Sequence, residues 1–500
     1  MHDNFSAGAW IAWRATATPD RTAVVFRDRR FSYRELDGRA RRLAAVFRRA
    51  GIGVGDRVVF AVNNEPSALE TLFACGLVGS VAAPVNPALV GPEMKRVLDD
   101  VAPRALVAAG TSIDGLDAVD SCRTAFRLTT GAGRAGWLDY EASIASSEPL
   151  SSAANVDLDD LSLVARTSGT SGPSKGIELT HANLLFNAFN LLTCLDCVRD
   201  DVILTSAPLH RMGSWGFLLP ILLKGGACVL QEAPSARESL RLIAQHGVTV
   251  LFDSVAALEA LVRDPDFAGP GPRSLRICVT GGTRVPATLV EAFRERGLAL
   301  HAGYGLSEAS PVVALPAART GDLAPGNVGV PVPFCSARVA NADGEDVPEG
   351  VAGEVLLRGL NVMRGYTDAR ATERAVRGGW VRTGDAGIRS PDGALSILGR
   401  VADALTVGGR TAYPEPIEAE LRTEPGVSEC LIVQEAPAAP IELWVVPGSD
   451  AALDEARLLA ACRARLGSDA PLRLRLLPSL PRNPNGKPVR RFTRAAEEAP

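Results

Sequence analysis

Helix and strand signals alternate along the first half of this chain, and that alternation limits its fold more than any other feature. Ser32-Tyr33-Arg34-Glu35 is a capping box. It opens a helix whose Leu36, Ala40, Leu43 and Phe47 share one face, closed by Gly51. Residues 57–62 follow as a buried strand, 68–77 as a helix and 81–85 as a strand. The rhythm returns between 202 and 282, with helices over 182–192 and 237–245 and strands over 248–252 and 274–279. Strands separated by helices lie parallel, with the helices on the sheet faces. Five hundred residues exceed one ordinary core, so several subdomains are expected. After about 320 the texture changes. Gly and Pro crowd 326–333, and short strands follow at 337–340, 353–358 and 395–398, which predicts a β-rich subdomain over about 320–399. From 401 the pattern is a compact α+β unit, with strands at 429–433 and 442–446 and a helix at 453–466. No internal repeat is visible.

Chemistry concentrates first in Thr167-Ser168-Gly169-Thr170-Ser171-Gly172-Pro173-Ser174-Lys175-Gly176. Glycines let backbone approach a ligand closely, hydroxyls and bare N–H groups aim at acceptor oxygens, and Lys175 adds a full charge. The segment reads as a polyphosphate cradle between a strand at 161–165 and a helix starting near Thr180. It is not a Walker A loop, because Lys175 follows Ser174 and precedes Gly176. The competing reading is a solvated Ser/Gly linker. Lysine usage favours the cradle. Of 53 basic residues only four are lysines, at 95, 175, 224 and 487. Lys175 lies in the cradle, and Lys487 ends Arg482-Asn483-Pro484-Asn485-Gly486-Lys487 at an Asn-Gly turn.

Three further segments carry suitable groups, each with a plainer alternative. Gly303-Tyr304-Gly305-Leu306-Ser307-Glu308 offers an aromatic face, a hydroxyl and a carboxylate for a hard cation, or simply a capped turn. In Thr383-Gly384-Asp385 the carboxylate can accept two ribose hydroxyls or cap a turn. Arg400 is a phosphate clamp or a surface cation. The net charge of −4 argues against a broad nucleic-acid surface. No run of about 18 apolar residues exists. Nine scattered cysteines, with Cys194 and Cys197 as the single C-x-x-C pair, suit neither a zinc site nor a disulfide framework. The opening Met1-His2-Asp3-Asn4-Phe5 lacks a secretory leader's basic and apolar regions, so a cytoplasmic location is expected.

In order and approximate spacing, the segments 167–176, 303–308, 353–366, 382–385, 399–403 and 484–487 resemble the adenylate-forming superfamily. That superfamily comprises acyl-CoA synthetases, peptide-synthetase adenylation domains and luciferases, and the chain looks most like an acyl- or aryl-CoA ligase. The likeness runs from Phe31-Ser32-Tyr33-Arg34-Glu35-Leu36 to Lys487. It implies an α/β fold: a large AMP-binding domain over 1–399, with two doubly covered, mainly parallel sheets plus the β-rich subdomain, and a mobile α+β lid over 400–500 carrying Lys487. It implies that Thr167, Ser168, Gly169, Thr170, Ser171, Gly172 and Lys175 wrap the β- and γ-phosphates of ATP, with Thr170 and Ser171 closest. Gly281, Gly282 and Tyr304 would bracket the adenine, and Thr283 and Gly305 would also belong to the nucleotide site. Asp385 would hold the ribose, Ser307 would approach the α-phosphate, Arg400 would reach the ribose–phosphate region, and Glu308 would ligate Mg²⁺. Thr170, Glu308 and Lys487 would be catalytic. Acid and ATP are both anions, so Lys487 and the metal would neutralise charge as the carboxylate attacks the α-phosphorus and pyrophosphate leaves. Coenzyme A would then take the acyl group from the acyl-adenylate. Alternatives are transfer to a carrier-protein thiol or a nitrogen nucleophile, or a non-catalytic nucleotide-binding homologue.

The chain departs from the family pattern in places. Ala402 stands where the hinge residue is usually Asp or Lys, with Asp403 beside it, and Pro416 replaces a common Glu. The stretch from 430 to 446 looks short, while Gly408 and Gly409 remain, and their small size would permit a narrow pantetheine tunnel. The acid pocket is expected from 209–216, 252–256 and 281–310, with Arg211, Trp215, Asp253 and Gly303 as candidates. Arg211 and Asp253 either meet a polar group of the acid or are solvated or paired within the protein.

Overall fold

The computed structural model describes residues 4–110, 112–122, 125–167, 174–269, 271–316, 326–436, 439–448, 452–468, 470–482 and 488–490. The capping box forms as expected: Ser32 and Glu35 exchange side-chain-to-backbone hydrogen bonds, and the helix Tyr33–Arg49 buries Leu36, Ala40, Leu43 and Phe47. Its chain turns at Gly51, where φ is 74°.

Two large sheets form the body. In the eight-stranded sheet, Leu161–Arg166, Val81–Pro84, Arg57–Ala61, Ala105–Ala108, Phe126–Thr129 and Leu138–Asp139 lie side by side and parallel. Val81–Pro84 and Ala105–Ala108 are buried at every residue, which is why they read as unbroken apolar runs. In the 14-stranded sheet, Thr22–Phe26, Ala227–Leu230, Val202–Thr205, Val250–Ser254, Ile277–Gly281 and Leu300–Gly305 are parallel. The expected β-rich segment is not a separate sheet. Val312–Leu315 turns back antiparallel on Leu300–Gly305. Asn327–Pro331, Leu395–Arg400, Trp380–Arg389, Gly353–Gly359 and Cys335–Ala340 then extend the same sheet antiparallel. The change of texture near 320 therefore marks a change of strand polarity, which pairs an edge that would otherwise be open.

The helix Pro66–Val78 is buried on all sides from Ser67 to Val78. Its Leu69, Leu72 and Phe73 share a single core with Val58 and Phe60 of one sheet and Ile203 and Val279 of the other. Beyond Arg400, a hairpin of Leu405–Val407 and Arg410–Ala412 leads to the helix Pro414–Leu421. A sheet of Val427–Val433, Ile441–Pro447 and Leu472–Leu476 follows, with the helix Glu455–Leu466. These elements surround their own core of Leu405, Ile417, Ile432, Leu443 and Leu458. All nine cysteines are free, and no described helix is long and apolar enough to cross a membrane.

His181 begins the helix His181–Cys194, and its imidazole is buried with no hydrogen-bond partner on either nitrogen among the described residues. Burial lowers its pKa from 6.5 to about 4. The unfolded chain therefore takes up this proton first as pH falls. The contribution to stability is complete above 6.5 and is lost from there down towards 4, at up to ~1.4 kcal/mol per pH unit. Melting temperature followed from pH 7.5 down through this window should drop less steeply in His181→Gln than in the parent; parallel curves would reject this.

Candidate active site

The carboxyl ends of the parallel strands Val202–Thr205, Val250–Ser254, Ile277–Gly281 and Leu300–Gly305 lie along one rim, the usual place for ligands in such sheets. Gly281 and Gly303 pair across this rim, and a Cβ on Gly281 would come within 2.6 Å of the Gly303 carbonyl. A Cβ on Gly305 would meet the Pro311 carbonyl at 2.0 Å. Close strand packing thus already requires glycine at these two positions. Gly282 differs: it turns at φ 82° into open space, and Thr283 beside it is exposed.

The cradle is built differently from the expectation. Residues 176–180 form a strand, Gly176–Thr180, which pairs antiparallel with Leu161–Arg166, so the cradle caps a hairpin and not a strand-to-helix turn. Ile177 and Leu179 bury one face of this strand, and the helix begins only at His181, capped by Thr180. Ser168, Gly169, Thr170, Ser171 and Gly172 lie outside the described residues. The base of the loop is closed by three hydrogen bonds. Thr167 N–H donates to the Lys175 carbonyl (3.0 Å), Lys175 N–H to Thr167 Oγ1 (2.9 Å), and Ser174 Oγ to the Thr167 carbonyl (2.8 Å).

From this base Lys175 Nζ lies 5.0 Å above the ring of Tyr366. The Tyr366 hydroxyl donates to Glu308 Oε1 at 2.8 Å. Tyr366 belongs to the short strand Gly365–Tyr366, which pairs with Gly176–Thr180. The Glu308 carbonyl accepts from Met363 N–H at 2.7 Å, which fixes the Ser307–Ala309 turn against the same segment. Burial raises the pKa of Glu308, and the Tyr366 hydrogen bond opposes the shift. A carboxylate in that setting is stabilised by any cation brought to it.

A second chain of contacts adjoins the first. Asp385 accepts from the Tyr304 hydroxyl (2.7 Å) and from Arg400 Nη1 (2.6 Å). Asp385 and Arg400 face each other across paired strands. The Gly384 turn at φ 71° is held by Glu354, which accepts from Gly384 N–H and from Arg382. The charge of Arg400 also acts on Glu308, and burial, Asp385 and Glu308 together set its own pKa. Lys175, Glu308, Asp385, Arg400 and Tyr304, spread over more than two hundred residues of sequence, thus share one locality, with Ser307 beside Glu308.

The acid-pocket candidates separate. Trp215 is in the core: its side chain is fully buried, its indole N–H donates to the Leu209 carbonyl (2.6 Å), and its ring meets Phe60 edge-on. Asp253 is engaged within the protein, accepting from Ser206 Oγ (2.5 Å) and Ser254 N–H (2.7 Å), and burial raises its pKa. Arg211 is exposed at the start of the helix Met212–Lys224. Burial lowers neighbouring His210 to about 4, so this imidazole is neutral near pH 7. Asn64 was not foreseen from sequence. Its amide donates to the Thr205 and Ala207 carbonyls (both 3.1 Å), and its oxygen accepts from Leu209 N–H (2.8 Å), so it clamps the loop that carries His210 and Arg211.

The profile of the AMP-binding enzyme family matches residues 11–367, well over half of the chain. This protein belongs to the AMP-binding enzyme family. It is 36% identical over 495 residues to a feruloyl-CoA synthase of Amycolatopsis sp, covering 97% of each chain. It is 32% identical to an indoleacetate–CoA ligase of Aromatoleum aromaticum, covering 96% of this chain and 95% of that one. Among solved structures, ATP-bound MatB from Rhodopseudomonas palustris superposes with a TM-score of 0.88 at 28% identity over 97% of each chain. The enzyme is an AMP-forming acid–thiol ligase. It activates a carboxylic acid with ATP as an acyl-adenylate and then forms a thioester with coenzyme A.

Proposed function

We propose that the acid is an aryl or aryl-alkyl carboxylic acid, and that the two adjoining contact chains, Lys175–Tyr366–Glu308 and Tyr304–Asp385–Arg400, hold the ATP that activates it. The convergence of these residues carries the assignment of the nucleotide site. Lys175 and the cradle hydroxyls take the outer phosphates. Asp385, already an acceptor for two donors, takes ribose hydroxyls. Arg400 and Ser307 lie on the α-phosphate side. Glu308 suits Mg²⁺, which needs one or two carboxylates when phosphates supply its other ligands. Among the described residues no cluster of three His, Cys, Asp or Glu groups offers another metal site. Bound there, the metal neutralises phosphate charge. Lys487 neutralises the charge that grows as pyrophosphate departs.

Two observations support an aryl substrate. The relatives at 36% and 32% identity are named for ferulate and indoleacetate. Phe252, at the middle of the strand Val250–Ser254, stacks on Phe217 at 4.1 Å between centroids, and Gly213 leaves its ring room: a Cβ there would fall 2.9 Å from it. A small face of stacked rings suits a flat acid better than a flexible chain.

The test is a panel of ferulate, indoleacetate, benzoate, malonate and octanoate, each with ATP, Mg²⁺ and coenzyme A. Pyrophosphate release and the mass spectra of AMP esters and thioesters are the readouts. Aryl acids should lead by at least about tenfold in kcat/KM, the factor given by one or two extra methylene-sized apolar contacts. Octanoate or malonate turning over equally well would overturn the substrate class. AMP esters without thioesters, in the presence of coenzyme A, would redirect the second step to another acceptor.

A further inference from the structure

The segment 360–367 is held in place by bonds that do not involve the side chain of Tyr366. Asn361 Nδ2 donates to the Ala309 and Val312 carbonyls (both 2.8 Å). Asn183 Nδ2 donates to the Leu360 and Val362 carbonyls (2.9 and 2.8 Å). Arg364 N–H and Thr367 N–H donate to the Glu178 and Gly176 carbonyls (3.1 and 3.0 Å), and Thr372 Oγ1 accepts from Tyr366 N–H (2.8 Å). The backbone being fixed in this way, the phenol is not needed to hold it. The phenol instead spans the space between two opposite charges. Lys175 Nζ stands over its face, 5.0 Å from the centroid, and at its far end the hydroxyl donates to Glu308 Oε1 at 2.8 Å. Among the described residues Lys175 forms no ion pair, although a carboxylate lies at the other end of the same ring.

We propose that Tyr366 is a positioning residue that keeps Lys175 and Glu308 apart, so that each stays charged and unpaired for the nucleotide and its metal. An ammonium and a carboxylate free to meet in a partly desolvated site attract each other strongly, and their pair would have to break before either took up phosphate or metal. The ring prevents this in two ways. Its face attracts the ammonium without supplying a counter-charge. Its hydroxyl gives Glu308 a neutral donor, which orients the carboxylate and leaves its charge intact. Phenylalanine in this place would keep the face and lose the donor, and leucine would lose both. This role rests on the reading of Lys175 as a ligand of the outer phosphates and of Glu308 as a ligand of Mg²⁺.

Equilibrium binding separates this role from a structural one, with ATP itself as the probe. Binding is followed by calorimetry, first with EDTA present and then across a series of Mg²⁺ concentrations, and no acid is added. Tyr366→Leu should weaken metal-free ATP binding about fivefold or more, because Lys175 turns to Glu308. In the Glu308→Gln background the competing charge is gone, so the same Tyr366→Leu change should cost less than about twofold. Tyr366→Phe leaves every bond of the segment and the ring itself in place. It should keep metal-free affinity within about twofold of the parent and raise the Mg²⁺ concentration at half-effect about threefold to tenfold, since the carboxylate loses its orienting donor. If Tyr366→Leu costs the same with and without Glu308→Gln, Tyr366 is structural and the proposal is overturned. Parental metal-free affinity in Tyr366→Leu overturns it too, as does an unchanged Mg²⁺ dependence in Tyr366→Phe. Lys175→Ala tests the underlying reading: parental ATP affinity in that variant would overturn the nucleotide-site assignment, and this proposal with it. Weakened binding in Lys175→Ala beside unaffected Tyr366 variants would reject the role of Tyr366 alone.

Discussion

Lys487→Ala should lose adenylate formation by about 10²–10³-fold in kcat, the usual cost of deleting one charge aimed at a transition state, while its melting temperature stays at the parental value. The two expectations belong together. Lys487 lies outside the described residues, but the arms of its loop are held by the bridge between Arg482 and Pro488 and by the ion pairs of Arg482 and Arg490, none of which uses the lysine side chain. Removing it therefore deletes a charge and leaves the anchorage. ATP–pyrophosphate exchange is the assay, with thermal unfolding as the control. Lys487→Arg should restore little, since a wide fork does not replace a compact ammonium. Exchange at the parental rate in the alanine variant would remove Lys487 from the mechanism.

Asp385→Ala should be the second most damaging change, through nucleotide affinity. Two donors converge on this carboxylate, the Tyr304 hydroxyl and Arg400 Nη1. In the proposed complex it also accepts from the ribose. Hydrogen bonds to a charged group are worth about 1.5–3 kcal/mol each, so losing its ribose contacts and the alignment of Arg400 should lower kcat/KM for ATP by about 10²-fold or more. The loss should fall on KM for ATP and spare KM for the acid. Asp385→Asn, which keeps an acceptor oxygen and gives up the charge, should fall between the two. An equal rise in both KM values, or a binding titration in which ATP affinity is unchanged, would dissociate Asp385 from the nucleotide.

Much of this site was legible because its residue types are unusual where they stand. A lysine in a chain rich in arginine, and a carboxylate after a glycine turn, stand out in the bare sequence, and Lys175, Glu308, Asp385 and Arg400 do gather. What stayed hidden depends on distance along the chain or on the other face of an element. Tyr366 closes the 353–366 segment, but nothing local ties its hydroxyl to Glu308, 58 residues away. Asn64 acts on a loop 141 to 145 residues further on, and nothing local distinguishes it from a turn residue. Trp215 has the right neighbours for a ligand pocket but points into the core, because helical spacing gives position around an axis without saying which side is covered. The helix start near Thr180 was legible from its cap, but the strand before it was missed, because Gly176–Thr180 is too short for alternation to outweigh the helix cap that follows it.

The helix Pro66–Val78 has no wet side. Its side chains complete the interior of both large sheets, so neither sheet has a finished surface of its own to present to solvent. The two βα halves are consequently not interchangeable modules: cutting the chain between them would strip each piece of the same shared filling, and the body should melt in one step, with no stable half left behind.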